Sequence, residues 1–296
     1  MASTLRLHSA LFTVALLFSA NYVISKLGMR EFSPMVFAWT RIAGAAVILA
    51  AITRNEPALS REDARRVAGF AILAVVINAP MFLLGLSMTS VHVAAILITT
   101  IPVFTLAAAI AFGREPASPT RMGGIALACF GALLVVGGES FSGTWRSVLG
   151  AMLIVINCFS YALYLVLSKP SMARLSAKRV VAHMFAVGTI ILLPIAAWPL
   201  ARQDWHSVTT GGWLALAVVI AGPTISAYLL QAWALRHADS SLVASYTYVQ
   251  PVLATILGAI FFAETIHPIV IVAAVLIFSG VGLAGRPTQR ESRPSP

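Results

Sequence analysis

Residues 91–115 read VHVAAILITTIPVFTLAAAIAFGRE, and residues 240–264 read SSLVASYTYVQPVLATILGAIFFAE. Each is an apolar run with a central proline and a glutamate thirteen residues later, Pro102 with Glu115 and Pro251 with Glu264. Both pairs match at one offset, 149 residues, which also carries Gly131 onto Gly280 in the glycine-centred run that follows each glutamate. Matches at one spacing, in segments of like hydropathy, mark an internal duplication. Upstream, Ser25-Lys26 answers Ser168-Lys169 at an offset of 143.

The rest of the chain has the same texture. Hydrophobic residues make up 59% of its 296 residues and charged residues only 10%, against about 25% in a soluble domain. The chain therefore lacks the polar surface a water-soluble globule needs, and lipid is its expected outer solvent. A spanning helix takes roughly 20 mostly apolar residues. That rule predicts ten spans: Leu7–Leu27, Pro34–Thr53, Val67–Met88, Val91–Gly113 and Arg121–Val136, then Ser147–Ser168, Val180–Leu200, Gly212–Leu235, Ser241–Phe262 and Pro268–Leu283. The expected fold is an all-α polytopic membrane protein with repeats over residues 1–138 and 147–285 and a disordered cytoplasmic tail over 286–296. Arg6 and the run Leu11–Ala20 resemble a signal peptide. The run continues through Tyr22 to Ile24, so it reads as a retained first helix. Cys129 and Cys158 fall in different apolar runs and read as small buried hydrophobes.

Charge sets the expected orientation. With the N-terminus cytoplasmic, fifteen of the twenty cations fall in cytoplasmic loops and the tail. Four fall outside, Lys26, Arg30, Arg146 and Arg202, and Arg41 lies within a span. This bias matches the positive-inside rule with both termini cytoplasmic. Five spans per half is an odd number, so the second half enters the membrane from the opposite face. Inverted repeats are a recurring transporter plan with the substrate site near the midplane. The net charge of +10 is spread over short loops with no nucleic-acid-binding motif, which excludes nucleic acid as the partner. The lipid bilayer and a small-molecule substrate are the partners expected instead.

Arg41 is the most unusual residue, because Ile42–Ile52 after it carries no polar side chain. A charge at membrane depth marks a functional site by default. It either meets a substrate carboxylate or another anion, clamps helix-end carbonyls, or snorkels to the outer interface. All ten Asp and Glu residues fall in loops or at span ends, which argues against carboxylate-driven proton antiport. Thr99 and Thr100 precede Pro102, and the run Ser245–Gln250 precedes Pro251. Proline removes a backbone donor and disrupts the helix, so both halves carry a midspan kink with exposed polar groups. With these kinks, Arg41, Asn78, Tyr246, Gln250, Asn21, Tyr164 and Gln231 are the candidate substrate-binding residues. The competing role for such polar residues is interhelical hydrogen bonding. Glu115 and Glu264 oppose the helix dipole and call for partners, Arg114 or Arg121 for the first and His267 for the second.

The order Ala94-Ala95, Pro102, Glu115, repeated as Ala244, Pro251, Glu264, with Pro34 before Arg41, resembles the EamA-like branch of the drug/metabolite transporter superfamily. The resemblance covers about residues 8–285. It implies ten helices, a central cavity shared by both halves, and efflux of amino acids or other small metabolites. The seventh span has no counterpart of Arg41, so the halves are not chemically symmetric.

A membrane enzyme or a membrane sensor or scaffold is the alternative. The six histidines are scattered with no H-E-x-x-H run, and no phosphate-binding glycine loop is present. Neither a catalytic residue nor a cofactor or metal is therefore expected. The excess of Arg over Lys and the abundance of Ala fit a GC-rich bacterial genome, hence an inner-membrane location.

Overall fold

A computed structural model of the chain describes residues 2–142, 144–263 and 268–284. Glu264, His267 and the tail from residue 286 lie outside them. All regular structure described is helical: α1 Ala2–Gly28, α2 Pro34–Thr53, α3 Arg61–Met88, α4 Val91–Ala111, α5 Pro119–Ser142, α6 Trp145–Arg174, α7 Ala177–Arg202, α8 Thr210–His237, α9 Ser240–Phe262 and α10 Pro268–Ala284. Eight of these are long and apolar enough to cross a membrane by length and composition. The other two, α5 and α10, fall where the fifth and tenth spans were expected and carry shorter apolar stretches, Pro119–Leu134 and Ile271–Gly280.

The helix starts follow from local chemistry. The hydroxyls of Ser33, Ser60, Ser90, Ser176 and Thr209 each accept from a backbone N–H in the first turn of α2, α3, α4, α7 and α8. These are the donors that a helix start leaves without intrahelical partners. At the far end of α4, Gly113 adopts φ +67°, which glycine reaches without a Cβ clash.

Large apolar side chains lie outward in numbers a soluble protein would not tolerate, among them Val47, Leu133, Ile190, Trp198, Val252 and Ile260. The chain is an integral membrane protein. Its helices pack chiefly as α5 on α10, α2 on α7, α3 on α6 and α1 on α9, with further contacts of α4 with α6, α1 with α8 and α4 with α9.

The loop charges separate to the two ends of the bundle. At one end Arg174 pairs with Asp63, Lys169 with Asp239, and Arg179 donates to the Glu56 carbonyl. There Glu115 sits 3.6 Å from Arg121 and accepts from Ser241 at 2.6 Å. Of the two partners expected for Glu115, Arg121 is the one found; Arg114 donates to the Val166 carbonyl. At the other end Glu31 accepts from the Thr209 N–H at 2.6 Å, while Lys26 and Arg30 stand over the Phe262 ring.

Candidate functional site

Four helix irregularities surround the middle of the bundle. α4 breaks at Thr99–Thr100, and α9 passes through a tight turn at Tyr246–Tyr248. The Thr99, Thr100 and Thr247 hydroxyls donate back to the Ile96, Leu97 and Ala244 carbonyls, which stabilises each break just before its proline. In α3 the turns widen to π geometry over Ile72–Ile77, and in α8 over Ile220–Ser226. Pro80 and Pro223 lack the N–H that a regular helix would give to Val76 and Val219. The widened turn of α3 opens its carbonyls to other helices: Leu73 accepts from Ser160, and Ala74 from the Tyr228 hydroxyl at 2.9 Å. Such π turns recur at functional sites.

Between these irregularities lies a cavity of about 60 Å³. From α1 to α4 it is lined by Phe18, Asn21, Tyr22, Arg41, Asn78, Phe82, Ile98 and Ile101. Asn157 and Tyr161 of α6, Tyr228 of α8, and Thr247 and Gln250 of α9 complete it. Phe18 meets Tyr161 and Tyr228 edge-on, with centroids 6.4 and 6.3 Å away, and Tyr22 meets Phe82 at 5.4 Å. Asn78 and Asn157 clasp α3 to α6: the Asn157 side-chain amide donates to the Asn78 carbonyl at 2.9 Å, and Asn78 returns the contact at 3.5 Å. Tyr22 donates to Gln250 Oε1 at 3.1 Å, joining α1 to α9.

Arg41 is 5% exposed, and its Nε and Nη1 are buried with no hydrogen-bond partner. A guanidinium does not lose its proton in a protein, so the cavity wall holds a fixed positive charge with unused donors. No Asp, Glu or His lines the cavity. Among the described residues no three His, Cys, Asp or Glu side chains converge as metal ligands would.

Four of the candidate residues, Arg41, Asn21, Asn78 and Gln250, come together here. Three do not line the cavity. Gln231 is buried behind the wall, accepting from Tyr161. Tyr164 is fully buried beside Tyr161. Tyr246 turns toward His8 near the start of α1. Asn157 and Tyr228 were missed. Asn157 interrupts the apolar run of α6, and Tyr228 follows Pro223 by five residues, so each carried a visible signal.

The model of the EamA-like transporter family matches the chain twice, over residues 6–137 and 148–286. The chain belongs to the EamA-like transporter family. The chain is similar to an uncharacterized transporter of Archaeoglobus fulgidus, 26% identical over 93% of this chain and 96% of its own length. The uncharacterized inner membrane transporter YedA of Escherichia coli is 26% identical over 94% of this chain and 90% of its own. The protein WALLS ARE THIN 1 of Arabidopsis thaliana is 24% identical, covering 94% and 82% respectively. A solved crystal structure 19% identical to the chain, with a TM-score of 0.64 over 96% of this chain and 98% of its own, shares the fold.

Proposed function

We propose that this protein is a secondary transporter that moves a small metabolite, an amino acid or a similar solute, out of a bacterial cell by alternating access. Residues 1–138 and 147–285 are two inverted five-helix halves forming ten spans, with both termini cytoplasmic. The observation that carries the function is the cavity lined by both halves, with the unpartnered Arg41 guanidinium in its wall. Arg41, Asn21, Asn78 and Gln250 contact the solute.

Several observations support two halves. The offset of 149 that pairs Pro102 with Pro251 carries the π turn 72–77 onto 221–226, inside the observed Ile220–Ser226. It carries the break at Thr99 onto Tyr248, in the tight turn of α9. The packing pairs α2 with α7, α4 with α9 and α5 with α10 map onto themselves when the halves are exchanged, and α1 with α9 becomes α6 with α4. Two halves of like packing give inward- and outward-open states of similar energy, which alternating access requires.

Counterflow of labelled amino acids and small metabolites into liposomes tests this, with Arg41→Ala alongside. Saturable exchange by the wild type, lost in a folded Arg41→Ala, is expected. Absence of exchange for every solute by folded wild type refutes the transporter; exchange surviving in Arg41→Ala removes Arg41 from the site.

A further inference from the structure

The charge in the cavity is one-sided: Arg41 lines it and no carboxylate does. Two of the cavity's side-chain amide oxygens already accept, Gln250 Oε1 from Tyr22 at 3.1 Å and Asn21 Oδ1 from Ser25 at 2.9 Å. Its hydroxyls spend their protons inside the protein, Tyr161 on Gln231, Tyr228 on the Ala74 carbonyl and Thr247 on the Ala244 carbonyl. The lining atoms that are buried with no partner at all are donors, the Nε and Nη1 of Arg41. A ligand that answers donors and one fixed positive charge is acceptor-rich and anionic.

We propose that the cavity binds a small organic monocarboxylate of net negative charge, its carboxylate on Arg41, and that the protein exchanges one such anion for another. This rests on the transporter reading above and narrows its substrate. The size admits such a ligand: a cavity needs about 10–15 Å³ per water, so about 60 Å³ holds at least about four to six non-hydrogen atoms, enough for lactate. An amino acid of that size fits less well, because its ammonium group meets no acid that would cancel its charge.

Exchange follows from the same charge. With an anion bound, the charge on Arg41 is cancelled and the loaded cavity can close away from water. Empty, the closed cavity must hold a bare guanidinium, which is strongly unfavourable. Net flux needs the empty carrier to return through that closed state; exchange never does.

The test uses the purified full-length protein in liposomes at mildly alkaline pH, with protein-free vesicles as background. Lactate, alanine and lactamide serve as labelled probes of nearly equal size but anionic, zwitterionic and neutral character. Trapped lactate should leave about tenfold or more faster into unlabelled lactate than into a medium holding only an impermeant anion. Alanine and lactamide should show neither rate. Alanine or lactamide exchanging as fast as lactate overturns the anion assignment and leaves the transporter standing. Equal lactate efflux into both media overturns exchange. No movement of any probe or other solute by folded protein sinks the transporter reading with it. Arg41→Gln should abolish lactate exchange, and Arg41→Lys should keep it at weaker affinity. As a check independent of flux, lactate should raise the melting temperature of wild-type protein where lactamide does not; equal shifts contradict the proposal.

Discussion

Gly85 of α3 faces Gly150 of α6, and replacing it with alanine tests how the cavity is held. A Cβ at position 85 would stand 2.7 Å from the Gly150 carbonyl oxygen and 2.9 Å from two side-chain carbons of Ile154, against about 3.4 Å for ordinary contact. Ile154 can rotate away, but the carbonyl belongs to a helix backbone, so α3 and α6 must separate locally by about 0.7 Å. Asn78 and Asn157 each lie seven residues along these helices, roughly 10 Å away. A separation carried that far stretches the Asn157 to Asn78 bond from 2.9 Å to about 3.6 Å, outside hydrogen-bonding range. The reciprocal bond, at 3.5 Å, has no room to lengthen. Overpacking costs about 1–3 kcal/mol, and a lost interhelical hydrogen bond in a membrane protein adds about 0.6 kcal/mol. Thermal unfolding in detergent should show Gly85→Ala melting roughly 2–10 °C below wild type, with solute exchange weakened. Gly69→Ala is the matched control: it lies on the same helix with nothing within 4 Å of its added Cβ. There alanine should be neutral or stabilising by up to about 1 kcal/mol. Equal melting of the two variants would refute the claim that close backbone approach at Gly85 and Gly150 holds the Asn78–Asn157 clasp.

Four further outcomes are expected. Ala263, which ends α9 at φ +51°, should accept glycine with a gain of about 1 kcal/mol in a melting experiment. Tyr22→Phe removes the donor to Gln250 Oε1 and should weaken solute affinity several-fold in a counterflow titration, with melting lowered by less than about 1 kcal/mol. Asp63→Asn breaks the pair with Arg174; that arginine is half exposed, so the loss should be about 1 kcal/mol or less and shrink in high salt. Under the topology proposed from loop charge, a fluorescent reporter fused after Pro296 should fluoresce in the cytoplasm, whereas a periplasm-dependent phosphatase there should be inactive.

The helical frame was legible because span length and loop charge are strong, redundant signals. The kinks at Thr99–Thr100 and before Pro251 were legible for a local reason: proline removes a backbone donor wherever it sits. The sequence did not show which polar side chains face inward. Gln231 and Gln250 look alike in the chain, yet one is buried behind Tyr161 and the other lines the cavity. A helix turns 100° per residue, so the widened turns in α3 and α8 rotate everything beyond them. That rotation brings Asn78 and Tyr228 into the same wall, and neither its size nor its position follows from hydropathy.

Under the two-halves reading, the halves have diverged where they meet the cavity. At an offset of 149, Ile98 stands where the second half has Thr247, and Ile101 where it has Gln250; at an offset of 143, Phe18 stands where it has Tyr161. Each of these pairs is apolar in the first half and polar in the second. Tyr22 and Asn78 go the other way, with Leu165 and Ala227 at the matching positions, and so does the one charge. Arg41 lies in the first half, and residues 184–190 of α7, reached by offsets of 143 to 149, contain no cation. Under the two-halves reading this imbalance is what the chemistry asks for. Two guanidinium groups around about 60 Å³ would repel each other, and a singly charged ligand could cancel only one. A single arginine among neutral polar side chains from both halves lets one small anion neutralise the cavity while the halves keep the matched packing they need to exchange conformations.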